Sequence, residues 1–248
     1  VPDDDDLEIW HVTLKNETGT SRQFDVFSYV ELCLGHALVD LINQPNDQHF
    51  NEVYLKRDAE ILLATKRYWV RYKGATVQQA NEDWDRYVFF ASSLPVIGWD
   101  GDKSQFIGRW RSESNPIAVE RGTCSNSEIT AGDAVAALQM RCELEPGEER
   151  IFNIMLGVVP KENAYEERAV AIVKKYRDLD AGASAYTRLK NQWRDYLSVI
   201  RVSTPDEDMN LMLNTWNQYQ TSVTFRFSRD ASYHHGGLLF GRGYRDSC

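Results

Sequence analysis

The spacing of apolar side chains changes once along this chain, near residue 160. From Ile9 to about Val159, apolar residues alternate with polar ones at a period of two, which is typical of β-strands. Beyond that point they recur every three or four residues, which is typical of amphipathic helices. Because a strand pattern cannot settle as a helix, the sequence predicts a β-domain followed by a helical region.

Two strand candidates surround the turn-forming stretch "KNETGTS" and predict a hairpin with one buried face. The first, "WHVTLKNET", places Trp10, Val12 and Leu14 on one face. The second, "RQFDVFSYVELCLG", has the following residues at period two: Phe24, Val26, Val30, Leu32 and Leu34. Its alternate face carries Phe27, Tyr29 and Cys33, so we expect this strand to be covered on both faces, as in stacked sheets.

Four further stretches are strand candidates: "AEILLATKRYWVRYK", "DRYVFFASS", "AVAALQMRCEL" and "EPGEERIFNIMLGVV". The last of them opens with a Pro-Gly turn and continues into an apolar run. Many strands separated by turn residues predict an antiparallel β-sandwich.

Three helices are predicted after the β-region. "NAYEERAVAIVKKYRDLD" has Asn163 as its expected N-cap and an apolar stripe formed by Ala169, Ile172, Val173 and Tyr176. "GASAYTRLKNQWRDYLSVI" repeats the pattern with Tyr186, Leu189, Trp193, Tyr196 and Leu197. "RVSTPDEDMNLMLNTWNQYQ" begins with a short strand-like stretch. Its helix is expected to have Thr204 as its cap, Pro205 as its first residue, and a stripe of Met209, Leu213, Trp216 and Tyr219.

The charge balance and the cysteines exclude several classes of protein. With 37 acidic and 28 basic residues the net charge is −9, which disfavours binding to nucleic acid or to anionic membranes. No apolar run reaches the roughly 18 residues of a membrane-spanning helix. The start has neither an initiator Met nor a signal-peptide pattern, so we expect a cut N-terminus and a cytoplasmic protein. The four cysteines favour reduced thiols: Cys33, Cys124, Cys142 and Cys248.

The segment after Gln220 carries the candidate chemistry. In "FRFSRDAS", alternation turns one of Arg226 and Arg229 inward, where it can bind an oxyanion such as phosphate; a surface salt bridge is the alternative. Adjacent histidines in "YHHGG" lack the spacing of a zinc pair, and we expect no metal. In "FGRGYRDS" the glycines permit a tight turn, and the carboxylate of Asp246 can accept two sugar hydroxyl protons.

These motifs carry a family resemblance. The series "WNQYQ…SRDAS…GYRDS", preceded by "FSYVELCLG" and "NPIAVERGTCSNSE…LEPGEER", resembles the disaccharide phosphorylases of glycoside hydrolase family 94, the cellobiose and chitobiose phosphorylases. The resemblance implies a multidomain β + α fold, with an antiparallel β-supersandwich, linker helices and the start of an (α/α)6 barrel. The implied boundaries are 1–160 for the later part of the supersandwich, 161–202 for the linker, and 203–248 for the first helix and loop of the truncated barrel.

The resemblance also implies roles for single residues. Arg229 matches the arginine that binds inorganic phosphate, and Asp246 matches the carboxylate that holds the hydroxyls of the non-reducing glucosyl unit. Arg245 accompanies Asp246 at this sugar site. Relatives of the cellobiose type have an arginine where this chain has Phe240, and Arg242 is its candidate replacement. The family motif "RDSxQD" breaks two residues short, so we expect the catalytic general acid to lie outside this chain.

The function implied by the resemblance is phosphorolysis with inversion of a β-linked glucosyl disaccharide or oligosaccharide. The products are α-glucose 1-phosphate and a shortened acceptor. Inorganic phosphate is a co-substrate and no cofactor is expected. The parent protein is expected to be a homodimer, this chain alone is expected to be inactive, and a second chain completing the barrel is a further possibility.

An alternative from a different class is a carbohydrate-binding or dimerisation module without catalysis. The chain has 7 Trp and 12 Tyr, and aromatic faces stack on sugar rings. The candidate stacking platform consists of Trp69, Trp84, Trp99 and Trp110. Burial in the core or at a domain interface is the competing and favoured interpretation of each.

Overall fold

The computed structural model describes residues 1–35, 48–68 and 83–227, with side chains described as far as 223. The chain divides into two compact units, Val1–Tyr186 and Thr187–Cys248. The strands lie in the first unit. No helix among the described residues is long and apolar enough to cross a membrane.

Two antiparallel sheets form the first unit, and their strands are numbered here in chain order. Among the described residues the larger sheet has five strands: β1 Leu7–Lys15, β3 Asn51–Lys56, β4 Ile61–Lys66, β5 Arg86–Ser92 and β8 Glu149–Pro160. Their spatial order is β1-β8-β5-β4-β3. The smaller sheet has three strands in the described ranges, in the order β2-β7-β6: β2 Arg22–Glu31, β6 Val96–Asp102 and β7 Ala134–Leu144. These antiparallel sheets confirm the predicted β-supersandwich.

The main core lies between the two sheets. Phe90, Leu138 and Phe152 are fully buried there, and Val12 and Leu14 of β1 pack against the same cluster as predicted. Burying one such side chain contributes about 1.5–3 kcal/mol. The apolar residues alternate along each strand because successive side chains point to opposite faces and one of these faces packs against this core.

Each sheet is also covered on its outer face. Short helices α1 Lys103–Phe106 and α2 Ile117–Arg121 cover the smaller sheet, where Phe27 and Tyr29 of β2 pack against Phe106. The prediction that β2 is covered on two faces is confirmed, although helices form the second cover. Neither helix was predicted, because four or five residues are too few to show a helical period.

The predicted hairpin of β1 and β2 is wrong. β1 pairs with β8 and β2 pairs with β7, so the chain crosses between the two sheets after β1. The connection from β7 to β8 crosses at the same place, and Asn16 joins the two crossings: its backbone N–H donates to the Glu148 carbonyl at 2.9 Å and its Nδ2 donates to the Leu144 carbonyl at 2.9 Å. Turn residues serve a hairpin and a change of sheet equally well, which is why the local pattern was misleading.

Helix α3 Tyr165–Arg177 packs on the outer face of the larger sheet, and α4 Leu179–Leu197 follows it. Ala169, Val173 and Tyr176 are buried, which confirms the predicted stripe. Asn163 is not the N-cap; that position is Ala164, whose left-handed φ of 66° turns the chain into the helix without a side-chain cap. In α4 the predicted apolar stripe is confirmed only in part, because Tyr186 and Tyr196 are exposed.

After α4, the described part of the second unit contains a continuous helical run: α5 Glu207–Leu211, a π-helical turn Met212–Trp216 and α6 Asn217–Phe227. Its N-cap is Asp206, whose carboxylate accepts hydrogen bonds from the N–H groups of Asp208 and Met209. The prediction of Thr204 as the cap and Pro205 as the first helical residue is therefore wrong. Asp206 wins because a carboxylate at the helix start also interacts favourably with the helix dipole.

Candidate functional site

The predicted site residues lie outside the described part of the chain. This holds for Arg229, Phe240, Arg242, Arg245 and Asp246, and equally for the adjacent histidines. The structure therefore describes the helix that leads to them and the surfaces of the supersandwich, and the roles of these residues stay predictions.

The helical run of the second unit uses one face to hold the segment that precedes it. Asn214 forms two hydrogen bonds with Val202: its Oδ1 accepts from the Val202 N–H at 2.8 Å and its Nδ2 donates to the Val202 carbonyl at 2.8 Å. Asn210 does the same with Thr204, at 2.8 and 2.9 Å. Gln218 donates to the Ile200 carbonyl at 3.1 Å. We call Asn210, Asn214 and Gln218 the amide ladder.

Sequence reasoning missed the amide ladder, although a signal for it exists. The three amide side chains recur every four residues in "NLMLNTWNQ", and that spacing places them on one helical face. The predicted apolar stripe lies on the other side of the same helical run. A polar stripe made only of Asn and Gln, with no charged residue, indicates hydrogen bonding to backbone rather than a solvated surface.

The apolar stripe of the same helical run is exposed within the described part of the second unit. Met209, Leu213, Trp216 and Tyr219 are between 37% and 50% exposed. The aromatic rings contact one another, with Trp193 5.3 Å from Tyr219 between ring centroids. The π-helical turn lies in the middle of this stripe, and such turns occur frequently near functional sites.

The candidate tryptophan platform is only partly described. Trp84 and Trp99 are half-buried and pack against the core between the sheets, and the Arg57 guanidinium lies 4.9 Å above the Trp99 ring. These two are structural, as the favoured interpretation held. Trp110 is fully exposed, in a loop where its φ is +63°, and Trp69 lies outside the described residues.

The motif "GTCSNSE" serves the fold. Asp100 is completely buried, and its carboxylate accepts hydrogen bonds from the hydroxyls and N–H groups of Ser125 and Ser127. Gln139 accepts from the Cys124 N–H at 3.0 Å. A buried carboxylate is stable only when such donors surround it, so these residues fix the loop beside the smaller sheet.

Two of the described thiols, those of Cys124 and Cys142, are buried, and the third, that of Cys33, is exposed. Burial raises the pKa of the Cys124 thiol, and the nearby Asp100 carboxylate raises it further. Burial also raises the pKa of Cys142. A thiol with a raised pKa is a poor nucleophile and a poor metal ligand. Among the residues that the structure describes, no group of three or more His, Cys, Asp or Glu side chains is placed to hold a metal ion.

A small polar cavity of about 150 Å³ lies at the end of β2. Lys103 and Glu31 form an ion pair of 2.6 Å at its wall. The hydrogen bond from Lys103 lowers the pKa of Glu31, and the carboxylate in turn raises the pKa of Lys103. Since Asp133 also lines the cavity, its charges do not favour phosphate, and it is not the predicted phosphate site.

Comparison with known proteins identifies both parts of the chain. Residues 1–179 match the supersandwich domain of glycosyl hydrolase 94. Residues 192–248, which include all the predicted site residues, match the catalytic domain of the glycosyl hydrolase 94 superfamily.

Three curated relatives cover almost the whole chain. N,N'-diacetylchitobiose phosphorylases of Vibrio furnissii and Vibrio proteolyticus are 30% and 31% identical over 248 residues, which is 100% of this chain and 29% of each relative. A cyclic beta-(1,2)-glucan synthase of Rhizobium meliloti is 30% identical over 236 residues, 95% of this chain and 8% of the relative. The chain thus spans less than a third of the length of the phosphorylases it matches. With a family model covering residues 1–179 and the supersandwich observed in the structure, the chain belongs to glycoside hydrolase family 94.

Proposed function

We propose that the full-length protein phosphorolyses a β-linked glucosyl disaccharide or oligosaccharide with inversion. The observation that carries this proposal is the order of the two family matches, supersandwich at 1–179 and catalytic domain at 192–248. The relatives named as chitobiose phosphorylases, which align over the entire chain, support the reaction type. The products are α-glucose 1-phosphate and an acceptor shortened by one sugar.

In an inverting reaction the two reactants approach the sugar from opposite faces. A protonated carboxylic acid donates to the leaving oxygen, and phosphate attacks the anomeric carbon in the place that water takes in a hydrolase. Phosphate is already an anion and needs positive charge rather than a general base. We assign that charge to Arg229, and we assign the acid to a residue outside this chain, so the chain alone is inactive.

The sugar half of the reaction is assigned to the "FGRGYRDS" segment. The Asp246 carboxylate accepts hydrogen bonds from two hydroxyls of the non-reducing unit, and Arg245 beside it donates. Phe240 and Arg242 are assigned to the same subsite, where they distinguish this chain from relatives of the cellobiose type. Inorganic phosphate is the co-substrate, and no cofactor is required.

The proposal extends to the architecture. We assign 1–160 to the supersandwich, 161–202 to the linker and 203–248 to the first helix and loop of an (α/α)6 barrel. The family model for the catalytic domain begins at residue 192, which supports a barrel start in this region. We propose that the parent protein is a homodimer, and solution scattering of the full-length protein at a monomeric mass would contradict this.

The reaction is tested on the full-length protein with four disaccharides: cellobiose, laminaribiose, chitobiose and cellobionic acid. Each is incubated with and without inorganic phosphate, and sugar 1-phosphate and free sugar are measured separately. Phosphorolysis requires that sugar release depend on phosphate and that an α-configured 1-phosphate accumulate. Equal release in both conditions refutes phosphorolysis. The disaccharide with the highest kcat/KM identifies the linkage and the acceptor.

The phosphate assignment is tested by Arg229→Ala, with Arg226→Ala as the matched control from the same segment. A charge-assisted interaction with a desolvated oxyanion contributes about 2–4 kcal/mol. We therefore expect Arg229→Ala to reduce phosphate-dependent turnover by about two orders of magnitude while sugar affinity changes little. If Arg226→Ala gives the larger loss, the roles of the two arginines are exchanged.

A second candidate function is a carbohydrate-binding or dimerisation module without catalysis. One observation favours it: Trp110 is fully exposed on the supersandwich. Isolated residues 1–186 are titrated with gluco-oligosaccharides while tryptophan fluorescence is recorded, with Trp110→Ala as control. A saturable change that Trp110→Ala abolishes supports this function, and no change favours the enzyme.

A further inference from the structure

The amide ladder joins the helical run to the extended segment 200–204 by a series of hydrogen bonds. Their order along the two partners resembles that between antiparallel β-strands. Gln218, Asn214 and Asn210 contact Ile200, Val202 and Thr204 in antiparallel order. Asn210 and Asn214 each make two hydrogen bonds to one residue's N–H and C=O, as a partner strand does. The contacts with Ile200 and Val202 reach only backbone atoms, and at Thr204 the side-chain hydroxyl also donates to Asn210 Oδ1 at 3.0 Å.

The ladder can repeat because the helix and the extended segment advance by similar distances from one hydrogen-bonded pair to the next. Four residues of an α-helix rise about 6.0 Å, and two residues of an extended chain rise about 6.6 Å. An amide on every fourth helical residue therefore meets every second residue of the extended segment. Gln218 also donates to the Leu213 carbonyl at 3.1 Å, which ties the ladder to the π-helical turn.

The helical run leads in sequence to the residues that are assigned to phosphate and sugar. From Asn210 to Phe227 the run has 18 residues, and their 17 rises give a length of about 25 Å. A tilt of 5° about the ladder moves its far end by about 2 Å. Residues 228–248 begin at that end, and they include every residue assigned to phosphate and sugar.

We propose that the amide ladder is a positioning device for the proposed reaction: it fixes the direction of the helical run that precedes Arg229 and Asp246 in the sequence. The inference rests on the proposed function, which assigns those two residues. Asn214 is the central positioning residue, because it binds both the N–H and the carbonyl of Val202 in the middle of the ladder. Displacing a reacting group by about 1 Å costs on the order of 10²-fold in rate.

The first experiment compares Asn214→Ala and the double change Asn210→Ala/Asn214→Ala in the full-length protein. We expect kcat/KM to fall about tenfold in the single variant and about 10²-fold in the double variant. Because phosphate and sugar groups lie on one segment, KM for both substrates should rise together while kcat falls. Amide hydrogen exchange at Val202 should accelerate in both variants, which reports loss of the ladder independently of activity.

A stability-matched control separates positioning from folding. Val53→Ala, in the core between the sheets, lowers the melting temperature without touching the second unit. Its kcat/KM below the melting transition should equal that of the wild type. If the ladder variants match Val53→Ala in both melting temperature and kcat/KM, the ladder is only structural and the proposal is overturned.

A pH profile of Asn214→Asp gives a sharper test. Its ionised carboxylate accepts from the Val202 N–H but faces the Val202 carbonyl with a second acceptor, whereas the protonated acid donates to that carbonyl as the amide does. The ratio of variant to wild-type kcat/KM should therefore rise as pH falls through the carboxyl pKa. A ratio that stays constant with pH contradicts the proposal.

Failure of the proposed function would be recognised separately. If the wild type releases sugar equally with and without phosphate, phosphorolysis is refuted, and the same variants are then compared by their hydrolytic kcat/KM. If the wild type has no activity on the four disaccharides, binding of inorganic phosphate and of cellobiose is measured by calorimetry. In either case, variant values within twofold of the wild type, with the Val202 amide deprotected, overturn the positioning role.

Discussion

The two units of the molecule differ in how far their apolar side chains are buried and in what their polar side chains do. In the described part of the first unit three clusters of apolar residues are buried, and several of their members are completely buried. In the described part of the second unit Met209, Met212 and Trp216 are about half exposed, and amide side chains supply the order. The first unit therefore closes its own core. The described part of the second unit leaves its apolar stripe exposed.

The first unit also has buried polar groups that join separate elements of the fold. In the first unit Asn153 joins three elements: its Nδ2 donates to the Tyr176 carbonyl on α3, and its Oδ1 lies 2.9 Å from His11 Nδ1 on β1. Gly182 of α4 approaches closely here, since a Cβ at that position would lie 3.0 Å from Asn153 Nδ2. Substitutions in the first unit should thus act on stability, and substitutions in the second unit should act on activity.

The largest expected effect is on the stability of the first unit. Phe90→Ala removes a fully buried ring from the core between the sheets and should lower the free energy of unfolding by about 3–5 kcal/mol. Met212→Ala, on the exposed stripe, should cost less than about 1 kcal/mol in this chain. Urea denaturation of residues 1–248 measures both. A similar loss in the two variants would show that the second unit also has a closed core.

The next effect is on activity. Asp246→Asn in the full-length protein should reduce kcat/KM for the disaccharide by roughly 10²-fold or more, because an amide presents a donor where the carboxylate had its second acceptor. The melting temperature should be unchanged. If the melting temperature falls while kinetics of the folded enzyme stay intact, Asp246 caps a helix and does not bind sugar.

A smaller effect concerns the pH dependence of the first unit. Asp25 on β2 faces Arg141 on β7, and its Oδ1 accepts from Arg141 Nε at 2.7 Å. This hydrogen bond, with a further one from Gln139, holds the pKa of Asp25 below its usual range. A lowered folded-state pKa stabilises the fold at neutral pH, and this contribution is lost as pH falls through that pKa.

Asp25→Asn should therefore lower the free energy of unfolding by about 1–2 kcal/mol at pH 7. The difference from wild type should stay constant between about pH 5 and 8 and shrink below about pH 4, where the wild-type carboxyl becomes protonated. Denaturation at a series of pH values measures it. A difference that grows on acidification would contradict the sign.

The smallest effect is at the start of the helical run in the second unit. Asp206→Ala removes the side chain that caps the N–H groups of Asp208 and Met209, at a cost of about 1 kcal/mol. Thr204→Ala should cost less, because the helix begins after Asp206 and not at Thr204. Circular dichroism of the two variants during thermal unfolding tests this order, and a larger effect at Thr204 would contradict the observed cap.

The site residues Arg229 and Asp246 were predicted from residue type and from the resemblance, because phosphate and sugar hydroxyls require those groups. Their roles stay predictions, because both residues lie outside the described part of the chain. The amide ladder was missed, because its partners are backbone atoms up to 18 residues away and any extended segment could supply them. The type of a polar side chain shows which groups it can hydrogen-bond. Which group it does bond depends on which other part of the chain the fold places beside it.

The sequence by itself determined where the longer strands and α3 lie. β5, β7, β8 and α3 were predicted at their observed places, because burial of one face or stripe is written into the local spacing of apolar residues. β3 and β6 escaped detection, being short and interrupted by charged residues or glycine. The tertiary structure alone decided that β1 joins β8 and β2 joins β7, with partners more than 100 residues away in the chain. The physical reason is that alternation records only that a face is buried, whereas the surface that buries it is set by packing of the whole unit.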